Sequence, residues 1–286
     1  MGAPESRSRL GSHRMCPVGS VAPRSSSANK HLPLSCAATR RAGLGELRYA
    51  VATGSTNDDL AQEARLGERS PAVLVADHQT AGRGRLGRRW SDAATGPHAG
   101  EASLLVSFRL EAPVAGAFDR TAAVSAAALV AASGTLAGSG ATVRAKWPND
   151  LLIEGQDASG KVAGVLSEIV DGDPPLVVVG LGLNIAEAPP EPGAVSLAQA
   201  GGAATRDEIL ASLIDALPGY LADPGRARED LRVASATLRR EVRVQRTDGT
   251  SIVGTAVDID GSGRLIVAGD SGEVAIDAGD VFHLRS

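Results

Sequence analysis

Aromatic residues are almost missing from this chain: Phe, Tyr and Trp together make up 2% of its 286 residues. The core must therefore be packed from Ala, Val, Leu and Ile, and there are too few rings for a surface that stacks nucleic-acid bases. Cysteine is equally scarce. Cys16 and Cys36 are the only two, both near the N-terminus, which excludes a disulfide framework or cysteine zinc spacing and fits a reducing compartment. No apolar run approaches the ~20 residues that a membrane helix needs. Nor is there surplus positive charge: the formal net charge is −4, which argues against a general DNA or RNA binder. What is present, 43% hydrophobic residues over this length, suits one large globular domain and a smaller one.

Met1 to about Arg41 reads as a distinct tail rich in Ser, Arg, Pro and Gly, with Glu5 as its only acid. This composition predicts a disordered extension over 1–43, with Met15 as an alternative start. The same Arg/Ser bias matches an organelle transit peptide, and Gly2 with Ser6 matches a myristoylation pattern. No helix-turn-helix is legible in it. The body, 44–238, alternates strand-like and helix-like segments. Leu47–Ala52 reads as a strand, and Ser55-Thr56 caps a helix over Asn57–Leu66 with Asp58 and Asp59 in its first turn. Ala72–Ala76 and Leu104–Phe108 read as strands, and Phe118–Ala137 as an Ala-rich helix. Val143–Lys146, Leu151–Ile153, Val162–Val170 and Leu176–Leu183 follow as strands, then helices over Thr205–Leu221 and Arg226–Ser235. From 239 to 286 the pattern changes to short strands separated by Asp/Gly turns, predicting a small all-β barrel.

Two segments carry chemistry. Gly82-Arg83-Gly84-Arg85-Leu86-Gly87-Arg88-Arg89-Trp90 sets four arginines and three glycines in nine positions, joining close backbone approach to guanidinium forks. Lys146-Trp147-Pro148-Asn149-Asp150 sets a cation, an indole, an amide and a carboxylate side by side. The glycine spacing formally matches a dinucleotide fingerprint, but Arg88–Gly100 lacks helical periodicity and is broken by Gly96, Pro97 and Gly100, so the Rossmann mechanism has no helix N-terminus to use. A Walker loop is excluded because no Lys-Ser or Lys-Thr follows. A solvated arginine run and an RNA-binding Arg-Gly segment are the plainer alternatives; the preceding buried-type strand speaks against the first and the net charge against the second.

Five segments in this order resemble the biotin protein ligases, also described as biotin–acetyl-CoA-carboxylase synthetases: Ser55-Thr56-Asn57, His78 to Arg88, Lys146 to Asp150, Gly160-Lys161-Val162-Ala163-Gly164-Val165-Leu166-Ser167-Glu168, and Gly180-Leu181-Gly182-Leu183-Asn184-Ile185. The resemblance covers about 44–286. It implies an α/β (α+β) catalytic domain with a mixed sheet of the class II synthetase-like fold, followed by an SH3-like barrel. It also implies a two-step reaction in which biotin and Mg-ATP give biotinyl-5′-AMP and pyrophosphate, and biotin then passes to a lysine of a biotin carboxyl carrier protein.

On that resemblance Lys161, Arg85 and Arg83 are the expected catalytic cations. Arg85 should bear on the phosphate and Lys161 on the carboxyl oxygen. Biotin contacts fall to Ser55, Thr56, Asn57, Gln79, Arg83, Gly84, Arg85 and Lys161, with Gly164, Gly180 and Gly182 admitting the bicyclic ring. Adenylate contacts fall to Arg85, Trp90, Asn149 and Asn184. Trp147 reads as a core aromatic. Asp150 either holds Mg2+ or orients Lys146; no cluster of metal-ligating residues is legible, so Mg2+ is expected to arrive with ATP. The Gly-Arg loop should stay open while its arginines lack a ligand. The stretch Ser91–Ala102, with His98 and Gly100, is longer than in many members of the family. The competing functions are lipoate or octanoate transfer on the same fold and a non-catalytic biotin-binding regulator. A monofunctional enzyme, monomer or homodimer, with neither a DNA nor a membrane partner, is expected in the cytoplasm, or in an organelle if the tail is a transit peptide.

Overall fold

The computed structural model describes residues 28–91, 99–112, 116–270 and 272–284. In chain order the elements are α1 (Ala28–His31), α2 (Pro33–Ala42), β1 (Glu46–Thr53), α3 (Thr56–Arg65), β2 (Ala72–Gln79), α4 (Ala99–Ala102), β3 (Ser103–Glu111), α5 (Ala117–Thr135), β4 (Thr142–Lys146), β5 (Asp150–Glu154), β6 (Gly160–Val170), β7 (Leu176–Asn184), α6 (Arg206–Ala222) and α7 (Pro224–Val233). Five strands follow: β8 (Glu241–Arg246), β9 (Ser251–Ile259), β10 (Leu265–Gly269), β11 (Gly272–Ile276) and β12 (Gly279–His283).

The first seven strands form one mixed sheet in the order β1-β2-β3-β7-β6-β5-β4. Only β1 and β2 run parallel; the other neighbours are antiparallel. Side-chain alternation divides the sheet between two helical layers. On β2, Val73 and Val75 pack with α2, α5 and α6, while Leu74 packs with Leu60, Ala61 and Ala64 of α3. The alanines of α5, among them Ala123, Ala126, Ala127 and Ala132, are fully buried, and their small size lets that helix lie close to the sheet. Among the described residues no helix is long and apolar enough to cross a membrane.

The N-terminal reading needs correction. Pro33–Ala42 is a helix, not a disordered stretch, with Pro33 at its start and Gly43 in the left-handed conformation at its end. Leu32, Cys36 and Ala38 are buried in the main core. The backbone N–H groups of Leu34 and Ser35 donate to the Asp207 carboxylate at 2.9 Å, tying α2 to the first turn of α6. A short apolar stripe was hidden by the polar composition around it. Residues 1–27 of the tail lie outside the described residues.

The C-terminal strands form an antiparallel sheet in the order β11-β10-β9-β8-β12. Among the described residues β11 and β12 share no ladder, so the ring of the expected barrel is not closed by hydrogen bonds. Val242, Val244, Ala256, Leu265, Val267 and Val281 make its core, and Trp147 from the catalytic body belongs to that same cluster. The indole Nε1 donates to the Gly263 carbonyl at 2.9 Å. Trp147 is thus a core residue, as expected, and it joins the two sheets.

Candidate active site

The site forms where α3 begins, because Ser55 stops the extended chain there and starts a helix. Its backbone is in the β region, and its hydroxyl accepts from the Asp58 N–H at 3.4 Å. That cap aims the next two side chains at the sheet. Ser55, Thr56 and Asn57 are all buried. The Thr56 N–H and hydroxyl both donate to Gln79 Oε1, at 2.8 and 3.1 Å, and Asn57 Nδ2 donates to the Leu166 carbonyl at 3.1 Å. Ser107 Oγ stands 2.7 Å from Thr56 Oγ1 and 2.5 Å from Asn57 Oδ1.

Register explains the space. Across β3, β7 and β6, Ser107 lies opposite Gly180 and Gly180 opposite Leu166; two pairs further along, on the same face, Gly182 lies opposite Gly164. The glycines leave bare backbone that neighbouring side chains use. A Cβ on Gly180 would come within 2.2 Å of Asn57 Oδ1, and one on Gly182 within 2.2 Å of the Trp90 ring. These glycines, expected to admit a ligand ring, thus first admit Asn57 and Trp90.

The Gly-Arg segment is a small hairpin. Gly84 N–H donates to the Arg88 carbonyl at 2.7 Å, Trp90 N–H to the Gly82 carbonyl at 3.0 Å, and Arg83 bridges Arg89. Trp90 is carried over the sheet and separates two cavities. The smaller is lined by Ser55, Asn57, Gln79, Arg83, Trp90 and Gly182 among others. The larger is lined by Arg85, Trp90, Asn149, Asp150, Lys161 and Asn184 among others. The indole Nε1 is buried with no hydrogen-bond partner.

The cations are not equivalent. Arg83 reaches Glu168 at 2.7 Å and also pairs with Asp58. Arg88 pairs with Asp280 of β12 at 2.8 Å. Arg85 forms no ion pair within 4.0 Å among the described residues; its guanidinium donates to Asn149 Oδ1 at 3.3 Å. Burial pulls the Arg85 pKa down, against the opposing field of Asp280. The loop is therefore not held open by repulsion as expected: carboxylates from α3, β6 and β12 neutralise it. Lys161 Nζ sits 2.8 Å from Asp150 Oδ1 and 5.6 Å from the Trp90 ring centre. Asn149 is fixed by donating from Nδ2 to the Val165 carbonyl at 2.7 Å. Asn184 donates to the Val195 carbonyl at 3.1 Å and leaves its buried Oδ1 without a partner.

The structure thus gathers Ser55, Thr56, Asn57 and Gln79 at one cavity, and Arg85, Lys161, Asn149, Asp150 and Asn184 at the other, with Arg83 and Trp90 shared. Gly84 lines the second. Sequence reasoning missed Ser107, whose signal was a lone hydroxyl within an apolar strand, and did not give Asp58 and Glu168 a role at the loop. The expectation for Ser91–Ala102 lies mostly outside the described residues, His98 included. Among the described residues no three His, Cys, Asp or Glu side chains cluster, and Asp150 pairs with Lys161 rather than with the expected Lys146.

Fold and site together fit the class of biotin/lipoate ligases and transferases. The model of the Biotin/lipoate A/B protein ligase family matches residues 50–184, and that of the Biotin protein ligase C terminal domain matches residues 237–284. The chain is 39% identical over 253 residues to the biotin–[acetyl-CoA-carboxylase] ligase of Mycobacterium tuberculosis, covering 85% of this chain and 91% of that one. It is 36% identical over 247 residues to the enzyme of the same name from Paracoccus denitrificans, covering 80% and 97%. The structure of the biotin protein ligase from Aquifex aeolicus in complex with biotin and ATP superposes with a TM-score of 0.64 at 26% identity, covering 85% of this chain and all of that one. The chain belongs to the biotin protein ligase family.

Proposed function

We propose that this chain is an ATP-dependent biotin–protein ligase that forms biotinyl-5′-AMP and passes biotin to a lysine of a biotin carboxyl carrier domain. One observation carries the reading: a hydroxyl-and-amide pocket short of protons adjoins a cavity lined by Arg85 and Lys161. Ser107 has a single hydroxyl proton facing two oxygens, Thr56 Oγ1 and Asn57 Oδ1, while the Thr56 proton is given to Gln79. The pocket therefore favours a ligand that donates. A ureido ring brings two N–H groups and one carbonyl; the dithiolane ring of lipoate and an octanoyl chain bring no donor and would leave these oxygens unpaired. The named relatives favour biotin over those acyl groups as well.

With the ring in the smaller cavity, the valeryl chain leads past Trp90 to the cations. The carboxylate oxygen attacks the α-phosphorus of ATP, the bond to the β-phosphate oxygen breaks, and pyrophosphate leaves. Arg85, half-buried and hydrogen-bonded to neutral Asn149, offsets the repulsion between carboxylate and phosphate. Lys161, steered by Asp150, holds the carboxyl oxygen in this step and again when the carrier amine attacks the mixed anhydride and expels AMP. Asn149 and Asn184 orient the nucleotide, and Trp90 offers its face to the adenine. Magnesium would enter with the ATP phosphates. The catalytic unit is assigned to 44–238 and the C-terminal unit, expected to be SH3-like, to 239–286.

Incubation with ATP, labelled biotin and a carrier domain tests this. The expected result is label on one carrier lysine with release of pyrophosphate. Neither pyrophosphate nor labelled carrier would overturn the proposal.

A further inference from the structure

Four alternating charges link α3, the hairpin and β6 in a chain of ion pairs: Asp58 of α3, Arg83 of the hairpin, which lines the smaller cavity, Glu168 of β6 and Arg65 at the end of α3. We propose that Asp58 and Glu168 are positioning residues which, by gripping Arg83, latch the Gly-Arg hairpin over the smaller cavity and so retain the vitamin bound there. The inference rests on reading that cavity as the site of the biotin ring.

Three walls of the cavity come from three elements: Ser55 to Asn57 from α3, Leu166 from β6, and Arg83 with Trp90 from the hairpin. Asp58 follows directly on the α3 wall, and Glu168 lies two residues beyond Leu166 on β6. The latch therefore ties the movable wall to both fixed ones. Gripping Arg83 also controls Trp90, because the two arms of the hairpin are pinned together by the Trp90–Gly82 and Gly84–Arg88 hydrogen bonds at 3.0 and 2.7 Å. Arg83 itself is turned towards two carboxylates. As an anion ligand it would first have to abandon both, whereas Arg85 would abandon only an amide.

The strength suits a latch. The side chains of Arg83 and Asp58 are 45% and 48% exposed, and Glu168 is 24% exposed. Pairs this accessible contribute little singly and are screened by salt. The hairpin can then open for entry and still favour the closed form. Burial raises the Asp58 pKa despite Arg83, whereas Arg65 and Arg83 overcome burial to hold Glu168 below its ordinary range. Glu168 is thus the firmer half of the grip.

The test is the dissociation rate of labelled biotin from the full chain, chased with unlabelled biotin, for wild type, Asp58→Asn, Glu168→Gln and Asp58→Glu, at about 0.05 and 0.5 M salt. Each neutral variant should release biotin about two- to five-fold faster at low salt. Asp58→Glu should restore slow release. High salt should speed the wild type towards the Glu168→Gln rate, and the KM for biotin should rise with kcat unchanged within two-fold. Thermal melting confirms that each variant is folded; the exposed Asp58 position serves if Glu168→Gln is not. Release at the wild-type rate from folded Asp58→Asn, with no salt effect, overturns the latch alone. A wild-type chain that binds no biotin overturns the underlying reading and the latch with it.

Discussion

Gly180→Ala probes the pocket through a single methyl group. The new Cβ would lie 2.2 Å from Asn57 Oδ1 and 2.9 Å from its Cγ, distances that force the amide away. Asn57 is not free to yield. It donates to the Leu166 carbonyl at 3.1 Å and its Oδ1 lies 2.5 Å from Ser107 Oγ. Losing both hydrogen bonds costs about 2 kcal/mol at a net ~1 kcal/mol each. That is a cost in stability; if Asn57 also gives biotin one hydrogen bond, losing it lowers the affinity about 5-fold at a net ~1 kcal/mol. Titration calorimetry with biotin alone reads this without ATP or carrier. The KM for biotin should rise in parallel, while the rate at saturating biotin changes far less, because Arg85 and Lys161 lie in the other cavity. Ser107→Ala, which removes the shared proton without adding bulk, should weaken binding in the same direction. A folded Gly180→Ala protein that binds biotin within two-fold of wild type would refute the assignment of the pocket.

Arg85→Ala and Lys161→Ala should each remain folded and lower adenylate formation about 10²–10³-fold, read as pyrophosphate release; near-normal turnover removes that residue from the site. Arg83→Gly should release reactive adenylate and label bystander lysines, and an absence of such labelling argues against retention by the hairpin. Trp147→Ala should destabilise the protein by about 3–5 kcal/mol in denaturant unfolding, since it empties part of the C-terminal core and breaks the bond to Gly263; a loss under about 1 kcal/mol contradicts that packing. His283 has its pKa pushed below the ordinary 6.5 by burial, then by Lys146 and Arg240, so the folded chain disfavours its protonated form. Its contribution is present above 6.5 and is lost as pH falls from there towards the lower folded value. The melting temperature should drop over that range in wild type and less in His283→Gln; equal slopes would exclude His283.

The elements that sequence reading placed best are those whose local pattern and tertiary role agree. Apolar runs such as Leu104–Phe108 and Leu176–Leu183 became central strands, and Ser55 capped a helix as its side-chain chemistry predicts. What was illegible depends on residues far apart in the chain. Arg83 and Glu168 are 85 positions apart, so no local pattern shows that the arginine is already occupied. Ser107 reads as an ordinary strand serine until the register sets it opposite Gly180 and beneath Asn57. The helix over Pro33–Ala42 escaped because its burial depends on Asp207 and α6, which lie far along the chain.

The Gly-Arg motif suggests four interchangeable anion ligands, but the structure divides the labour. Arg83 is spent on Asp58 and Glu168, Arg88 on Asp280, and Arg89 donates to the Thr80 carbonyl at 3.0 Å. Each fixes the hairpin to a different neighbour: α3 and β6, the C-terminal sheet, and its own base. Among the described residues Arg85 turns its guanidinium to the neutral amide of Asn149, in partly desolvated surroundings where an approaching anion gains most. A site that must bring two anions together needs positive charge in place before they arrive, and a cluster of unpaired arginines would repel itself. Pairing Arg83 and Arg88 with carboxylates, tying Arg89 to a backbone carbonyl and leaving Arg85 for the reacting groups resolves that conflict. Gly82 serves the same end, since a Cβ there would come within 2.7 Å of the Trp90 carbonyl and hold the two arms apart.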